Sequence, residues 1–365
     1  MQLEFFPSKT LTFYLARLFI TRILAVLLML VLVLQMLDLL SESGKIMGYP
    51  GNGEAQLWEY VSMRTPQLIA RFLPYSVLLA TIITLATLNQ NSEVIAMKAA
   101  GLSAHQVLAP LLLAALLVSG ISFVFNERVV TRATATLKAW TAVEYAPIPK
   151  QSGIRYNVYL RDGTNILAAG SLTGTGAAIR MENVTWYRRD AGGMVTEQIR
   201  SPRATYASPG WRLDAPRRFE VETTMQQVLG PIVVAKNVTP AQVALSSVDA
   251  DAQGLFELSR TIAAMKAAGR RTSELEGKWW HKISGPLAAL LMPLLGAVAA
   301  FGLARSGQLL IRAIIGMSLG FAYFVIDNAA LAMGNFGGYP PMVAAWAPFL
   351  LFAMVGETVL VRTEE

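Results

Sequence analysis

Long stretches from which charge is almost absent constrain this chain more than any other feature of its sequence. A helix needs about 20 consecutive apolar residues to cross the hydrocarbon core of a bilayer. Such stretches fall into two groups, one ahead of a charge-rich middle and one behind it. The first group predicts spans over about residues 11–40, 72–88 and 107–125, and the second over about 283–303, 309–326 and 342–361. Only 15% of the 365 residues are charged, against about 25% in an ordinary soluble domain. A mean hydropathy of +0.44 agrees that lipid is the solvent for much of the chain. The first stretch runs through Leu39 and Leu40 without a small-x-small cleavage site, so it is expected to remain as a helix rather than be removed as a signal peptide.

Basic residues in short flanks set the expected orientation. Lys9, Arg17 and Arg22, then Lys98, then Arg305 and Arg312, then Arg362 share one side of a six-span chain, which should be the cytoplasm. On the opposite side Lys45, Arg64 and Arg71 are offset by Asp38, Glu42, Glu54 and Glu59. Both termini are then cytoplasmic, and residues 126–278 lie on the far side of the membrane. That segment changes character. Tyr156-Asn-Val-Tyr-Leu160 alternates like a strand and runs into a turn at Arg161-Asp-Gly163. Residues 179–187, 204–206, 211–213 and 219–221 continue a rhythm of short strands, and residues 252–268 return to helix. The expected fold class is a membrane α-helical protein with six transmembrane helices and an inserted antiparallel β jelly-roll-like domain. Its organisation would be 1–125, 126–278 and 279–365.

Several function classes are disfavoured. The net charge of +7 contains no basic run interleaved with aromatics, so no nucleic-acid partner is expected. There is no cysteine for disulfide or thiolate chemistry. Gly44-Lys45-Ile46 and Gly277-Lys278-Trp279 lack the hydroxyl and upstream glycine of a P-loop, and no serine sits in a Gly-x-Ser-x-Gly elbow. His105 and His281, the only histidines, each stand beside a helix start and read as interfacial residues before they read as a metal pair. The chain is therefore expected to be no enzyme and to bind no cofactor.

The connection between the second and third spans carries more information. Asn89-Gln-Asn-Ser-Glu93-Val-Ile-Ala-Met-Lys-Ala-Ala-Gly101 predicts a short amphipathic helix, about 91–103, with a glycine stop. Val94, Met97 and Gly101 share a face, and Glu93 in the first turn suits the helix dipole. Ser103 and Gln106 match a capping box for the following helix. The short helix either packs on its own bundle or docks a cytoplasmic partner through apolar residues and one acid. Asp327, at the end of the fifth span, is an ionisable group at membrane depth, either an interfacial cap or a functional group.

Four stretches together resemble the lipopolysaccharide export permeases of the LptF/LptG (YjgP/YjgQ) family. They are Ser92-Glu-Val-Ile-Ala-Met-Lys-Ala-Ala-Gly101; Trp280-His-Lys-Ile-Ser-Gly-Pro-Leu287; Arg305-Ser306 through Arg312 to Gly316-Met-Ser-Leu-Gly-Phe-Ala-Tyr-Phe-Val-Ile-Asp-Asn328; and Gly338-Tyr-Pro-Pro341. The exit of the first span, Leu37-Asp-Leu-Leu-Ser-Glu-Ser-Gly44, looks more like the LptG branch. The resemblance implies an inner-membrane ABC exporter with a paralogous LptF permease, an LptB-type ATPase dimer that hydrolyses ATP, LptC and a periplasmic LptA-type bridge. Residues Glu93, Val94, Met97, Lys98 and Gly101 would form the coupling helix seated on the ATPase. Lys45, Arg64, Arg71, Arg128 and Arg132 are candidate contacts to lipid A phosphates, since Arg and Lys both make charge-assisted bonds to phosphate. Where relatives often carry several lysines at the first-helix exit, this chain has Gln35, Ser41 and Glu42 and keeps Lys45 alone. Tyr156, Val158, Leu160, Ile179 and Trp186 are candidate lining for an acyl-chain groove in the β domain. Rival readings are a permease of another lipid or lipoprotein ABC exporter, and a membrane scaffold that holds a periplasmic binding domain.

Overall fold

The computed structural model describes residues 6–147, 155–174, 178–190, 192–223, 225–240, 243, 248–267, 269–301 and 309–362, with side chains at all of these except 155–157, 299–301 and 309–313. The helices are α1 (Lys9–Gly48), α2 (Glu54–Gln90), α3 (Glu93–Ala99), α4 (Ala104–Phe125), α5 (Thr131–Ala142), α6 (Leu255–Ala267), α7 (Ser273–Phe301), α8 (Leu309–Asn335) and α9 (Pro341–Arg362). Six helices among the described residues are long and apolar enough to cross a membrane, as the charge-poor windows predict. Several outrun those windows. At about 1.5 Å rise per residue, the 40 residues of α1 and 37 of α2 exceed the bilayer core, so polar turns extend each helix into water. A single π turn at Asn126–Val130 carries α4 into α5 without a break.

By contacts the chain divides into two compact units. The helical unit takes in α1 as far as Gly44, Glu54–Thr134 and the chain from Ala250 onward; the second unit holds Lys45–Gly53 and Ala135–Asp249. The helical unit thus includes residues 126–134 and 250–278, because α5 begins as a continuation of α4 and α6 packs on α7. Within it α7 is the hub, touching α2, α4, α8 and α9. Small residues permit that closeness. A Cβ added at Gly296 of α7 would fall 2.7 Å from Thr81 Cγ2 and 2.9 Å from Thr81 Cβ of α2. The apolar window of α2 is 61% buried, but that of α1 is only 17% buried.

The second unit is an antiparallel sheet built from β1 (Arg155–Asp162), β2 (Asn165–Thr173), β3 (Arg180–Arg189), β4 (Val195–Ala207), β5 (Gly210–Asp214), β6 (Arg217–Glu220), β7 (Gln226–Val228) and β8 (Ile232–Val234). The order is β1-β2-β3-β4-β5-β8, while β6 pairs with β4 and with β7. The long β4 holds β5 along Arg203–Ala207 and β6 along Glu197–Arg200. The antiparallel character expected from alternation is present. Strict alternation is not, however. Gly170, Asn183 and Pro202 stand opposite one another on β2, β3 and β4, and the inward set slips by one residue at each. Leu167, Ala169, Val184, Trp186 and Ile199 face the core on one side of that line; Leu172, Met181 and Ala204 face it on the other. Asn183 takes a left-handed φ of 51°, a conformation that asparagine tolerates better than most residues. Both ends of the bent sheet therefore keep apolar side chains on one core.

Candidate functional site

Local signals build the α2–α4 connection. Ser92, at φ 59°, turns the chain out of α2 and into α3. Gly101, at φ +88°, ends α3: its N–H bonds to Lys98 O at 3.0 Å and that of Leu102 to Met97 O at 3.1 Å. This is a Schellman close, which favours glycine because the left-handed position disfavours a Cβ, and Leu102 packs against the same core cluster that contains Met97. Ser103 Oγ then accepts from Gln106 N at 3.2 Å while Gln106 Oε1 accepts from Ser103 N at 3.0 Å. That reciprocal cap fixes the start of α4 one step after α3 ends. The connection is thus a rigid corner.

Its faces differ from the expectation in one respect. Val94 and Met97 are buried in the transmembrane core, so the face foreseen as partner-binding is turned inward onto the chain's own bundle. An amphipathic pattern shows that a face will be covered, but not by what. The outward strip is Ile95, Ala96, Lys98 and Gly101, with Ile95 65% exposed. Glu93 is half-buried and accepts from Tyr14 Oη, at 3.1 Å to Oε2, and from Asn91 Nδ2, at 3.3 Å to Oε1. Tyr14 lies in the second turn of α1. Arg22, two turns further on, donates from Nη1 to Ile83 O of α2 at 3.0 Å. His105 Nε2 meets Glu357 Oε1 at 2.9 Å, tying the start of α4 to the last turns of α9. The short helix is therefore joined by polar contacts to α1 and lies beside a second link to α9.

At the other end of α1 a second network forms. Asp38 accepts from Arg64 Nε at 3.0 Å, from Arg64 Nη2 at 2.9 Å and from Tyr60 Oη at 2.5 Å. Arg64 Nη1 donates to Gln67 Oε1 at 2.8 Å, and Thr65 Oγ1 donates to Gln35 Oε1 at 3.3 Å. Arg64, a candidate phosphate contact, thus spends three of its five N–H groups within the chain. The other four candidates, Lys45, Arg71, Arg128 and Arg132, are exposed. Val158, Leu160, Ile179 and Trp186 are all in the packed core of the β unit; Tyr156 stands opposite Ser171 on β1, its side chain outside the described residues. Arg305 and Ser306 likewise lie outside them.

Sequence reasoning did not single out Tyr14, Ile95 or Glu357, since nothing local marks a partner contributed by a distant helix. It did single out both histidines, which the structure places with separate carboxylates: His105 with Glu357, and His281 at 3.8 Å from Asp327. Asp327 is buried at 4% exposure. Among the described residues no group of three or more His, Cys, Asp or Glu side chains could hold a metal ion.

Comparison with known proteins matches residues 13–362 to the family of the lipopolysaccharide export system permease LptF/LptG. The lipopolysaccharide export system permease protein LptG of Escherichia coli K12 is 23% identical over 98% of this chain and 99% of its own length. That of Haemophilus influenzae is 22% identical over 84% of this chain and 86% of its own. A family match that starts in the first turns of α1 and ends at the last residue of α9 spans both units and the short helix between α2 and α4, and this chain belongs to the LptF/LptG family of lipopolysaccharide export system permeases.

Proposed function

We propose that this chain is the LptG-like permease subunit of an ABC exporter that takes lipopolysaccharide from the inner membrane and passes it toward a periplasmic bridge. The observation that carries the mechanism is the Tyr14–Glu93 hydrogen bond. It fastens α3, the short helix between α2 and α4, to α1, whose apolar window is the least buried of the six candidate spans. A load applied to α3 is delivered directly to the wall of any lipid cavity that α1 borders.

In this reading α3 lies in the cytoplasm and seats its outward strip, Ile95, Lys98 and Gly101, on an LptB-type ATPase dimer. Val94 and Met97 stiffen the joint from beneath by anchoring α3 in the bundle. Glu93 has two roles open to it, as the tie to Tyr14 and, half-exposed, as an acceptor for a basic residue of the ATPase. Leu24, Leu28, Leu32, Met36 and Leu40 of α1 form an exposed apolar stripe of the kind that lipid or a partner permease covers. A paralogous LptF subunit would close the cavity from the other side. The β unit is periplasmic and receives the lipid, and it contacts LptC or an LptA-type bridge. Lys45, Arg71, Arg128 and Arg132 remain the cations offered to lipid A phosphates, with Arg64 held back to fix α1 against α2. The chain supplies no nucleotide site and binds no cofactor of its own.

Co-expression with the ATPase and the second permease tests the seat. Ile95→Asp places a charge on the outward strip without touching the core, and should cut recovered ATPase by at least tenfold while this chain stays folded. Glu93→Ala should weaken that recovery or leave ATP hydrolysis running without export. Full recovery and full export in both variants would remove α3 from the mechanism.

A further inference from the structure

The outer face of the β unit carries a groove of about 820 Å³ that touches the packed core at Val184 and includes none of the acyl-lining candidates. That volume lies within the roughly 300–1,000 Å³ typical of small-molecule sites. Its floor is a set of cross-strand rows. Thr185, Arg200 and Arg217 stand side by side on β3, β4 and β6, and Gln198, Phe219 and Gln226 form the adjacent row on β4, β6 and β7. Arg200 and Arg217 are direct cross-strand neighbours, an arrangement that like charges make unfavourable. Among the described residues no acidic side chain lines the groove. The neighbouring acid on β4, Glu197, points to the opposite face and is already held by Arg188 at 2.9 Å and Arg218 at 2.7 Å. In the amide orientation that satisfies both of its ends, Gln198 accepts from Arg200 Nε at 2.8 Å and from Nη2 at 3.1 Å, so the guanidinium is held in place rather than free to swing from its neighbour.

We propose that this groove binds an acidic saccharide, a sugar bearing a phosphate or carboxylate group. Two adjacent guanidinium groups supply bidentate donors for the anion. Thr185, Gln198 and Gln226 offer the donors and acceptors that sugar hydroxyls require. Phe219, 37% exposed at the rim, offers a flat apolar surface for a sugar ring. The anion would also relieve the repulsion between the two arginines, which explains their side-by-side placement. That the sugar belongs to lipopolysaccharide rests on the transport reading; the ligand class does not.

The test titrates the full chain, in nanodiscs free of lipopolysaccharide, with glucose 6-phosphate, glucuronate, glucose and inorganic phosphate. Glucose 6-phosphate or glucuronate should bind at least tenfold more tightly than neutral glucose and more tightly than phosphate alone. The stronger of the two identifies the acidic group. Arg200→Gln with Arg217→Gln should abolish the preference, and Arg203→Gln, on the same strand outside the groove, should leave it intact. Arg217→Gln alone should raise the unfolding temperature of the ligand-free protein by removing one of two repelling charges. Absent binding, binding unchanged in the double variant, or phosphate binding as tightly as its sugar ester would overturn the proposal. Neither lipid nor ATPase enters the titration, so its failure is distinguishable from a failure of the transport reading.

Discussion

α1 and α2 are both long helices, each apolar enough to cross a membrane, yet they solve opposite problems. The apolar window of α2 is 61% buried and that of α1 17%. α2 carries Pro66 and Pro74 within it and meets α7 closely enough that Gly296 is opposite Thr81. α1 instead exposes a continuous apolar stripe and is tied to the other helices by Tyr14 to Glu93, Arg22 to Ile83 and Asp38 to Arg64, with Leu15, Phe19 and Ile23 packed into the core. In the proposed transport cycle, the difference would separate the packed frame of the chain from its moving part. Helices buried on all sides transmit strain because interiors are close-packed. A helix that leaves most of its apolar length exposed would shift against a partner at less cost to its own core than one packed on most sides.

The largest effect should come from breaking the buried side of this comparison. Gly296→Leu forces a side chain into Thr81 where no space exists, costing about 1–3 kcal/mol or more by overpacking. Thermal unfolding in detergent should register it, and an unchanged transition would refute the tight α2–α7 seam. Next is the far pin. Arg64→Ala strips Asp38 of its bidentate partner and leaves a partly buried carboxylate with only Tyr60, a loss of about 1–3 kcal/mol. Asp38→Ala together with Arg64→Ala should cost less than the two single losses summed. Tyr14→Phe removes the near pin while keeping the ring. Stability should fall by only about 0.5–1.5 kcal/mol, the worth of one hydrogen bond, while ATP-driven export falls severalfold and ATPase recovery holds. The smallest change should follow Met36→Ala, 72% exposed on α1: within about 0.5 kcal/mol for the isolated chain, but with weaker crosslinking to the second permease.

What could be read from the sequence follows the range of the interactions involved. The cap at Ser103–Gln106 and the glycine close at Gly101 lie within a few residues of the groups they satisfy, and both were legible. The membrane spans were legible because lipid penalises charge wherever it occurs. The two pins of α1 were not, because Arg64 lies 26 residues from Asp38 and Glu93 lies 79 from Tyr14, and only packing brings them together. The same limit applies to Val94 and Met97, whose apolar face is legible while the choice between their own bundle and a partner as its cover is not. In the β unit, alternation marks β1, β3, β5 and parts of β4 and β6 but neither β2, β7 and β8 nor the slip at Gly170, Asn183 and Pro202. A bend shared by three strands leaves no mark within any one of them beyond a glycine, an asparagine and a proline.

The most direct test of the account is photocrosslinking of lipopolysaccharide in proteoliposomes that contain this chain, its partner permease and the ATPase. Probes would replace Met36 on α1 and Trp186 in the β unit. With ATP, crosslinks should appear first at Met36 and then at Trp186, and Glu93→Ala should retain the first and lose the second. Crosslinks at Trp186 that need neither ATP nor Glu93, or none at either position, would contradict the claim that α3 drives lipopolysaccharide past α1 into the β unit.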